Sequence, residues 1–198
     1  MNKNLFFKKI HKRKLQQKNI YKNTITNLQY FITINEIKTL IKSKSSHPSI
    51  TNAFLFGCLT GLGEKDLKEL EWLDFEFDNG VYYINLNRKN KIFKLRISQI
   101  AIDIIGTPIK VRGKVFFKLK STYYTNLKLK EWLNSSNVFK KITFKSCKYT
   151  FAANYLLNSE GFNDQSNDSK LSLENLSKIL GHKKPYFTKK FVDRINFN

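Results

Sequence analysis

The chain has 198 residues, enough for one well-buried domain, and its apolar content of 41% excludes a disordered chain. Its 36 basic and 15 acidic residues leave a net charge of +21, which favours a polyanionic partner, most commonly nucleic acid. No apolar run is long enough to span a bilayer or to serve as a signal peptide. We therefore expect a cytoplasmic protein without a membrane partner, in which Cys58 and Cys147 are reduced thiols.

Basic residues are concentrated in the first 23 positions, which carry eight of them and no acidic residue. We expect residues 1–30 to form a basic arm or linker ahead of the folded domain, with Lys12, Arg13 and Lys14 among its phosphate contacts. A solvated tail is the alternative interpretation. The arm is favoured because the enrichment is local.

The first predicted elements are helices. Thr33 and Glu36 form a capping box, which predicts a helix start just after Phe31. The stretch SITNAFLFGCLTGL is apolar almost all round, which is typical of a helix buried at the centre of a domain, and Gly61 and Gly63 end it. The stretch EKDLKELEWLDF predicts a further helix with its apolar residues on one side, namely Leu67, Leu70 and Trp72.

From Phe75 the hydrophobic period changes to two, which predicts strands. The sequence Asp78-Asn79-Gly80 is a turn signal, and VYYINL and IFKLRIS follow it as two strands joined by a basic turn at residues 88–91. Helices are predicted again over residues 98–105, about 123–133 and within 142–161.

A last predicted helix begins at Ser172 as its cap and ends at Gly181. Residues 163–170, which precede it, are predicted to be a loop insertion, and Pro185 is predicted to prevent an immediate return to helix. The predicted fold class is therefore α+β, mostly α-helical, with one small antiparallel sheet in a single domain over residues 31–198.

Three separated blocks resemble the catalytic domain of tyrosine recombinases, the phage-integrase family. The block FLFGCLTGLGEKDLKELEWLDF is similar to the family's arginine-bearing TGLR turn and the helix after it. The block ITFKSCKYTFAANYLL is similar to its HxxRHTFAT helix, and the third block is LSKILGH. The blocks occur in the family's order and cover about residues 30–195.

The resemblance implies a defined chemistry. In the family a tyrosine hydroxyl attacks a DNA phosphate and forms a phosphotyrosyl link, while arginines and histidines stabilise the charge on the phosphoryl oxygens. A lysine in the β-hairpin protonates the leaving oxygen. Two of these positions are retained, Lys89 in the hairpin turn and His182 of the LGH block.

The other family positions are replaced. Gly63 stands where the family's TGL is followed by arginine, and the HxxRH residues become Lys145, Lys148 and Tyr149. Phe191, nine residues after the LGH histidine, stands at the position of the nucleophile and has no hydroxyl. The lysines keep positive charge but lose the planar fork of arginine, so the pattern preserves attraction to phosphate without the geometry of catalysis.

These replacements predict a catalytically inactive, DNA-binding member of the tyrosine-recombinase type that occupies or modulates sites of DNA recombination or integration. The expected partner is double-stranded DNA, held by Lys89, Lys145, Lys148 and His182, beside an active recombinase or a second copy of the chain. No cofactor, metal or small-molecule substrate is expected. Two alternatives stay open: an active recombinase with an unrecognised nucleophile or one supplied in trans, and a decayed mobile-element relic. The resemblance also implies a bacterial, phage or mobile-element origin.

Overall fold

The computed structural model describes residues 30–88, 91–107, 111–117, 119–157 and 173–196. Within these ranges the chain forms eight α-helices and a three-stranded antiparallel sheet in the order β1-β2-β3. The helices are α1 (Ile34–Lys42), α2 (Pro48–Thr60), α3 (Glu64–Glu69), α4 (Gln99–Ile105), α5 (Thr122–Ser135), α6 (Ser146–Leu157), α7 (Leu173–Leu180) and α8 (Pro185–Asn196). The strands are β1 (Phe75–Asp78), β2 (Val81–Arg88) and β3 (Lys91–Ile97). The α+β class, mostly helical, is confirmed.

Helix α2 is the centre of the domain, as its uniformly apolar sequence predicts. Ten of its thirteen residues are buried, and it packs against α3, α4, α5 and α6. Within the described ranges, one core cluster surrounds this helix and includes Phe54, Phe56 and Phe144, each fully buried. A second cluster joins α6, α7 and α8, and it includes Phe151 and Val192.

Local signals in the sequence are confirmed at both the first helix and the sheet. Thr33 Oγ1 accepts a hydrogen bond from Glu36 N at 3.3 Å, and Glu36 Oε2 accepts one from Thr33 N at 2.8 Å, which completes the predicted capping box. Asn79 and Gly80 have φ of 48° and 79° and form the turn between β1 and β2. Both positive angles fit the tight hairpin turn whose twist matches that of the strands.

The helix predicted over EKDLKELEWLDF is shorter than expected, because α3 ends at Glu69. Leu70 O accepts a hydrogen bond from Val115 N at 3.0 Å, and Trp72 N donates to Gly113 O at 3.0 Å. These contacts draw the backbone into an isolated bridge between Glu71 and Lys114, which also form an ion pair at 2.8 Å. Trp72 therefore lies in a short 3₁₀ turn and not on the apolar side of α3.

The prediction that Pro185 prevents helix re-entry is wrong, since Pro185 is the first residue of α8. Proline is tolerated at the first helical position, where its missing N–H has no intrahelical partner in any case. The predicted cap at Ser172 and the loop insertion at residues 163–170 lie outside the described residues. Among the helices that the structure describes, none combines the length and apolar character needed to cross a membrane.

Candidate nucleic-acid interface

The turn after α2 lies directly on α6 and α7. Gly61 caps α2 in the left-handed conformation, with φ of 74°. A Cβ on Gly61 would lie 2.8 Å from Phe151 Cδ1 on α6 and 3.1 Å from Ile179 Cγ2 on α7. Only glycine fits both this φ and this space. Gly61 of the first sequence block therefore packs against Phe151 of the second block and Ile179 of the third.

The backbone at Gly63 does not itself call for glycine, since its φ of −92° is open to any residue. The space around it is what limits a side chain here. It opens α3 as the N-cap, and its N–H donates to Asp66 Oδ2 at 3.2 Å. A Cβ on Gly63 would lie 2.6 Å from Lys148 Cε and 3.3 Å from Lys148 Nζ. The Lys148 side chain therefore crosses the space that a side chain at position 63 would need.

Lys148 connects this turn to the end of α7. Its Nζ donates a hydrogen bond to Leu180 O at 2.9 Å. Leu180 is the last residue of α7, where the unsatisfied carbonyl groups and the helix dipole favour a cation. Lys148 thus stabilises the helix that precedes His182.

His182 is held by hydrogen bonds to one residue before it and one residue after it in the chain. Its backbone N donates to Ser177 O at 3.0 Å, and its Nδ1 lies 2.9 Å from Oγ1 of the buried Thr188 on α8. This contact fixes the orientation of the imidazole ring. The sequence did not indicate this role for Thr188, because a threonine within a basic segment is compatible with many positions in a fold.

The Phe191 ring is packed between two other site residues. It stacks on Tyr149 with ring centroids 4.2 Å apart and an interplanar angle of 10°. The ring of His182 meets it edge-on at 5.4 Å. A parallel stack and an edge contact each stabilise an aromatic pair by about 0.5–1.5 kcal/mol beyond the buried area. The Phe191 ring therefore has a packing role that needs no hydroxyl.

The structure thus brings together five of the residues singled out in the sequence: Gly63, Lys148, Tyr149, His182 and Phe191. Lys145 is exposed in the turn that leads into α6, and its carbonyl accepts a hydrogen bond from Lys148 N at 3.3 Å. Lys89 lies outside the described residues, as do the arm residues Lys12, Arg13 and Lys14.

The two cysteines are buried beside this site and are free thiols. Cys147 Sγ lies 3.4 Å from Leu62 O, and burial raises the pKa of this thiol to about 12. Burial likewise raises the pKa of Cys58 well above its usual value. Both thiols therefore remain protonated at neutral pH, and neither is a thiolate.

The contact between Gly63 and Lys148 leads to a testable coupling. Gly63→Ala should displace the end of the Lys148 side chain from Leu180 O and lower the free energy of unfolding by about 1.5 kcal/mol, the lower end of what a hydrogen bond to a charged group contributes, because the flexible lysine can partly adjust. In a Lys148→Ala background the same change should cost only the poorer N-cap that alanine makes, about 0.5 kcal/mol, because the space is then empty. Urea unfolding of the four proteins measures the coupling. Additive effects, within about 0.5 kcal/mol, would contradict it.

This arrangement defines the class of the domain: it has a tyrosine-recombinase catalytic-domain-like fold, mostly helical with a small three-stranded antiparallel sheet. Two similar solved structures are complexes of the site-specific recombinase XerH. XerH bound to difH substrate, in a pre-cleavage complex, is 15% identical with a TM-score of 0.57, covering 84% of this chain and 50% of that chain. XerH bound to palindromic difH substrate, in a post-cleavage complex, is 13% identical with a TM-score of 0.53, covering 82% and 48%.

This chain therefore spans about half the length of these recombinase chains. No protein-family model matches the sequence, and no curated protein matches it. At this level of identity the likeness shows the fold alone.

Proposed function

We propose that this chain binds double-stranded DNA through its recombinase-like fold and does not cleave it. The fold resembles that of a recombinase solved with its substrate bound, and the net charge of +21 favours a polyanion. The observation that supports the proposal is the packing of the Phe191 ring beside His182 and on Tyr149. The sequence resemblance assigns this phenylalanine to the position of the family's nucleophile.

Cleavage needs an oxygen in line with the leaving oxygen, and Phe191 offers only carbon. It also needs donors aimed at the charge that develops on the phosphoryl oxygens, and one such donor contributes roughly 3 kcal/mol to the transition state. Gly63 provides no side chain for this purpose, and Lys148 Nζ donates to Leu180 O. The loss of activity therefore extends beyond the nucleophile to the groups that would stabilise the reaction.

Binding DNA requires positive charge near the phosphates but not the precise geometry of catalysis, and the chain has basic residues suited to it. Lys145 is exposed in the turn that leads into α6, three residues before Lys148, and its charge suits a phosphate contact. Lys89 and the basic arm, with Lys12, Arg13 and Lys14, are proposed as further contacts. Phosphate contacts position a protein on DNA without reading its sequence. In this proposal the protein occupies or modulates recombination sites beside an active recombinase or a second copy of itself.

A covalent-trapping assay tests the absence of cleavage. The protein is incubated with a nicked suicide duplex, and covalent adducts are separated on a denaturing gel. We expect no adduct from the unmodified chain and none, or almost none, from Phe191→Tyr, because residues that act as a unit in catalysis are not additive. A shifted, protease-sensitive band from the unmodified chain would establish an active recombinase with another nucleophile.

Restoration of activity should need Phe191→Tyr together with Gly63→Arg, Lys148→Arg and Lys145→His. The structure adds a constraint to this series. A Cβ at position 63 would lie 2.6 Å from Lys148 Cε, near the flexible end of that side chain, so Gly63→Arg should displace the Lys148 ammonium group from Leu180 O. Gly63→Arg alone and Gly63→Arg with Lys148→Arg are therefore compared. A mobility-shift titration in the same buffers separates a DNA-binding protein from a relic that folds but has no affinity for DNA.

A further inference from the structure

Helix α8 and the two residues before it present a second set of side chains, away from the buried Thr188 and Val192. This set combines two aromatic residues with four lysines, all exposed, and we refer to it as the α8 surface: Lys183, Lys184, Tyr186, Phe187, Lys189 and Lys190. No acidic residue lies between Gly181 and Val192. The candidate interface described above uses none of these six residues.

The two rings of the α8 surface are open to a ligand. Tyr186 is 56% exposed and Phe187 48% exposed, although both are large aromatic side chains. Their centroids are 5.8 Å apart at an interplanar angle of 65°, so the edge of one ring meets the other and the two rings are not stacked face to face. Lys190 Nζ lies over the Tyr186 ring, 5.0 Å from its centroid, so a base that stacks on this face would take the place of the ammonium group and bring a phosphate close to it.

The inner side of α8 holds this surface in place. Val192 and Thr188 are buried, Thr188 contacts His182, and Phe191 stacks on Tyr149. The exposed rings therefore project from an anchored helix and not from a loose segment. A preorganised surface loses less conformational entropy when a ligand binds.

The combination of open rings and lysines fits a particular ligand chemistry. Every nucleobase has a π-face that stacks on an aromatic side chain, but in a duplex those faces are covered by the neighbouring base pairs. Unpaired nucleotides expose both the bases and the phosphates, which lysines neutralise. An anionic membrane suits the surface less well, because membrane-binding helices turn a broad apolar face outward and the apolar residues Phe191 and Val192 of α8 face the protein.

We propose that the α8 surface binds unpaired nucleotides of a DNA strand, by stacking bases on Tyr186 and Phe187 while the four lysines contact the phosphates. This deepens the proposed function and rests on it, because the surface adjoins the His182–Phe191 pair along the same helix. The protein would then prefer DNA with a nick, gap or melted segment over an intact duplex.

The test compares three fluorescein-labelled ligands by anisotropy: oligothymidylate, an abasic strand with the same number of phosphates, and a blunt duplex. The unmodified protein should bind oligothymidylate about tenfold more tightly than the abasic strand, because the abasic strand has phosphates and no bases. Tyr186→Leu with Phe187→Leu keeps apolar volume but removes the ring faces. This variant should lose about tenfold in affinity for oligothymidylate and lose less than about twofold for the duplex.

Two controls make the result specific. Tyr123→Leu on α5 removes a ring that is 80% exposed elsewhere, and it should leave all three affinities unchanged. Lys189→Gln with Lys190→Gln should weaken binding of oligothymidylate and of the abasic strand alike, since both carry phosphates. Tyr186→Phe keeps the ring and should bind as the unmodified protein does. Thermal unfolding checks that each variant is folded.

Several outcomes would overturn the proposal. If the unmodified protein binds the abasic strand and oligothymidylate equally well, the bases contribute nothing to the affinity. Equal losses for single-stranded and duplex ligands in the leucine variant would assign the rings to general DNA contact. Phosphatidylserine vesicles are titrated in parallel, and a loss confined to them would assign the rings to a membrane. Duplex binding that persists in these cases leaves the proposed function intact, whereas no binding of any DNA overturns both.

Discussion

Affinity for duplex DNA should fall about a thousandfold when the salt concentration is raised from 50 to 200 mM. Each phosphate neutralised by a lysine or arginine releases counterions and contributes about 0.9 to the slope of log affinity against log salt. A slope of about −5, which gives this loss, corresponds to about six phosphate contacts. With 36 basic residues, eight of them in the first 23 positions, the chain has ample charge for that number. Anisotropy titrations across the salt range measure the slope.

Substitutions locate the basic side chains that produce the slope. Lys12→Gln, Arg13→Gln and Lys14→Gln together should reduce its magnitude by about one for each phosphate that these side chains neutralise. An unchanged slope would show that these three side chains contact no phosphate, and an unchanged slope after deletion of residues 1–23 would show that the arm is only a tail. Lys145→Gln should likewise reduce it by about one and leave sequence preference unchanged. Lys148 is a poor choice for this experiment, because its Nζ donates to Leu180 O and its removal would also destabilise α7.

Gly61→Ala should lower the free energy of unfolding by about 2–5 kcal/mol. The φ of 74° costs a residue with a Cβ about 1–2 kcal/mol. A Cβ at 2.8 Å from Phe151 Cδ1 adds an overpacking cost of about 1–3 kcal/mol. Urea unfolding measures the loss.

Gly80→Ala is the matched control. Gly80 has φ of 79°, but nothing lies within 4 Å of a Cβ built there, so this variant should lose only the conformational contribution. The difference between the two losses isolates the packing of the turn on α6. Equal losses would contradict the close packing of Gly61 on Phe151 and would weaken the placement of Gly63 beside Lys148.

Elements with local causes were predicted correctly from the sequence. The capping box at Thr33 and Glu36 satisfies its own backbone groups within four residues, and the Asn79–Gly80 turn depends on the φ preferences of those two residues. Helix α2 was recognised because a helix surrounded by other elements is apolar on every side. The alternation of helical and strand-like stretches predicted the α+β class, and the three blocks predicted the recombinase-like fold; the structure confirms both.

Elements whose ends depend on distant partners were predicted incorrectly. Helix α3 ends at Glu69 because Leu70 O and Trp72 N bond to Val115 and Gly113, which are more than forty residues away in the chain. No local periodicity contains that information. The start of α8 at Pro185 was missed because the same proline is compatible with either a break or a first helical position, and packing of Thr188 and Val192 selects the helix.

The sequence by itself determined which residue types occupy the candidate site: a glycine at 63, lysines at 145 and 148, His182, and a ring without a hydroxyl at 191. Only the tertiary structure decided what those residues do to one another. Lys148 crosses above Gly63 to reach Leu180 O, Thr188 orients His182, and Tyr149 stacks on Phe191. The physical reason is that the contacts of Lys148 with Leu180 and of Tyr149 with Phe191 join different helices, so their geometry follows from how α6, α7 and α8 pack. The contact of Thr188 with His182 is local, but it forms only because the chain re-enters a helix at Pro185.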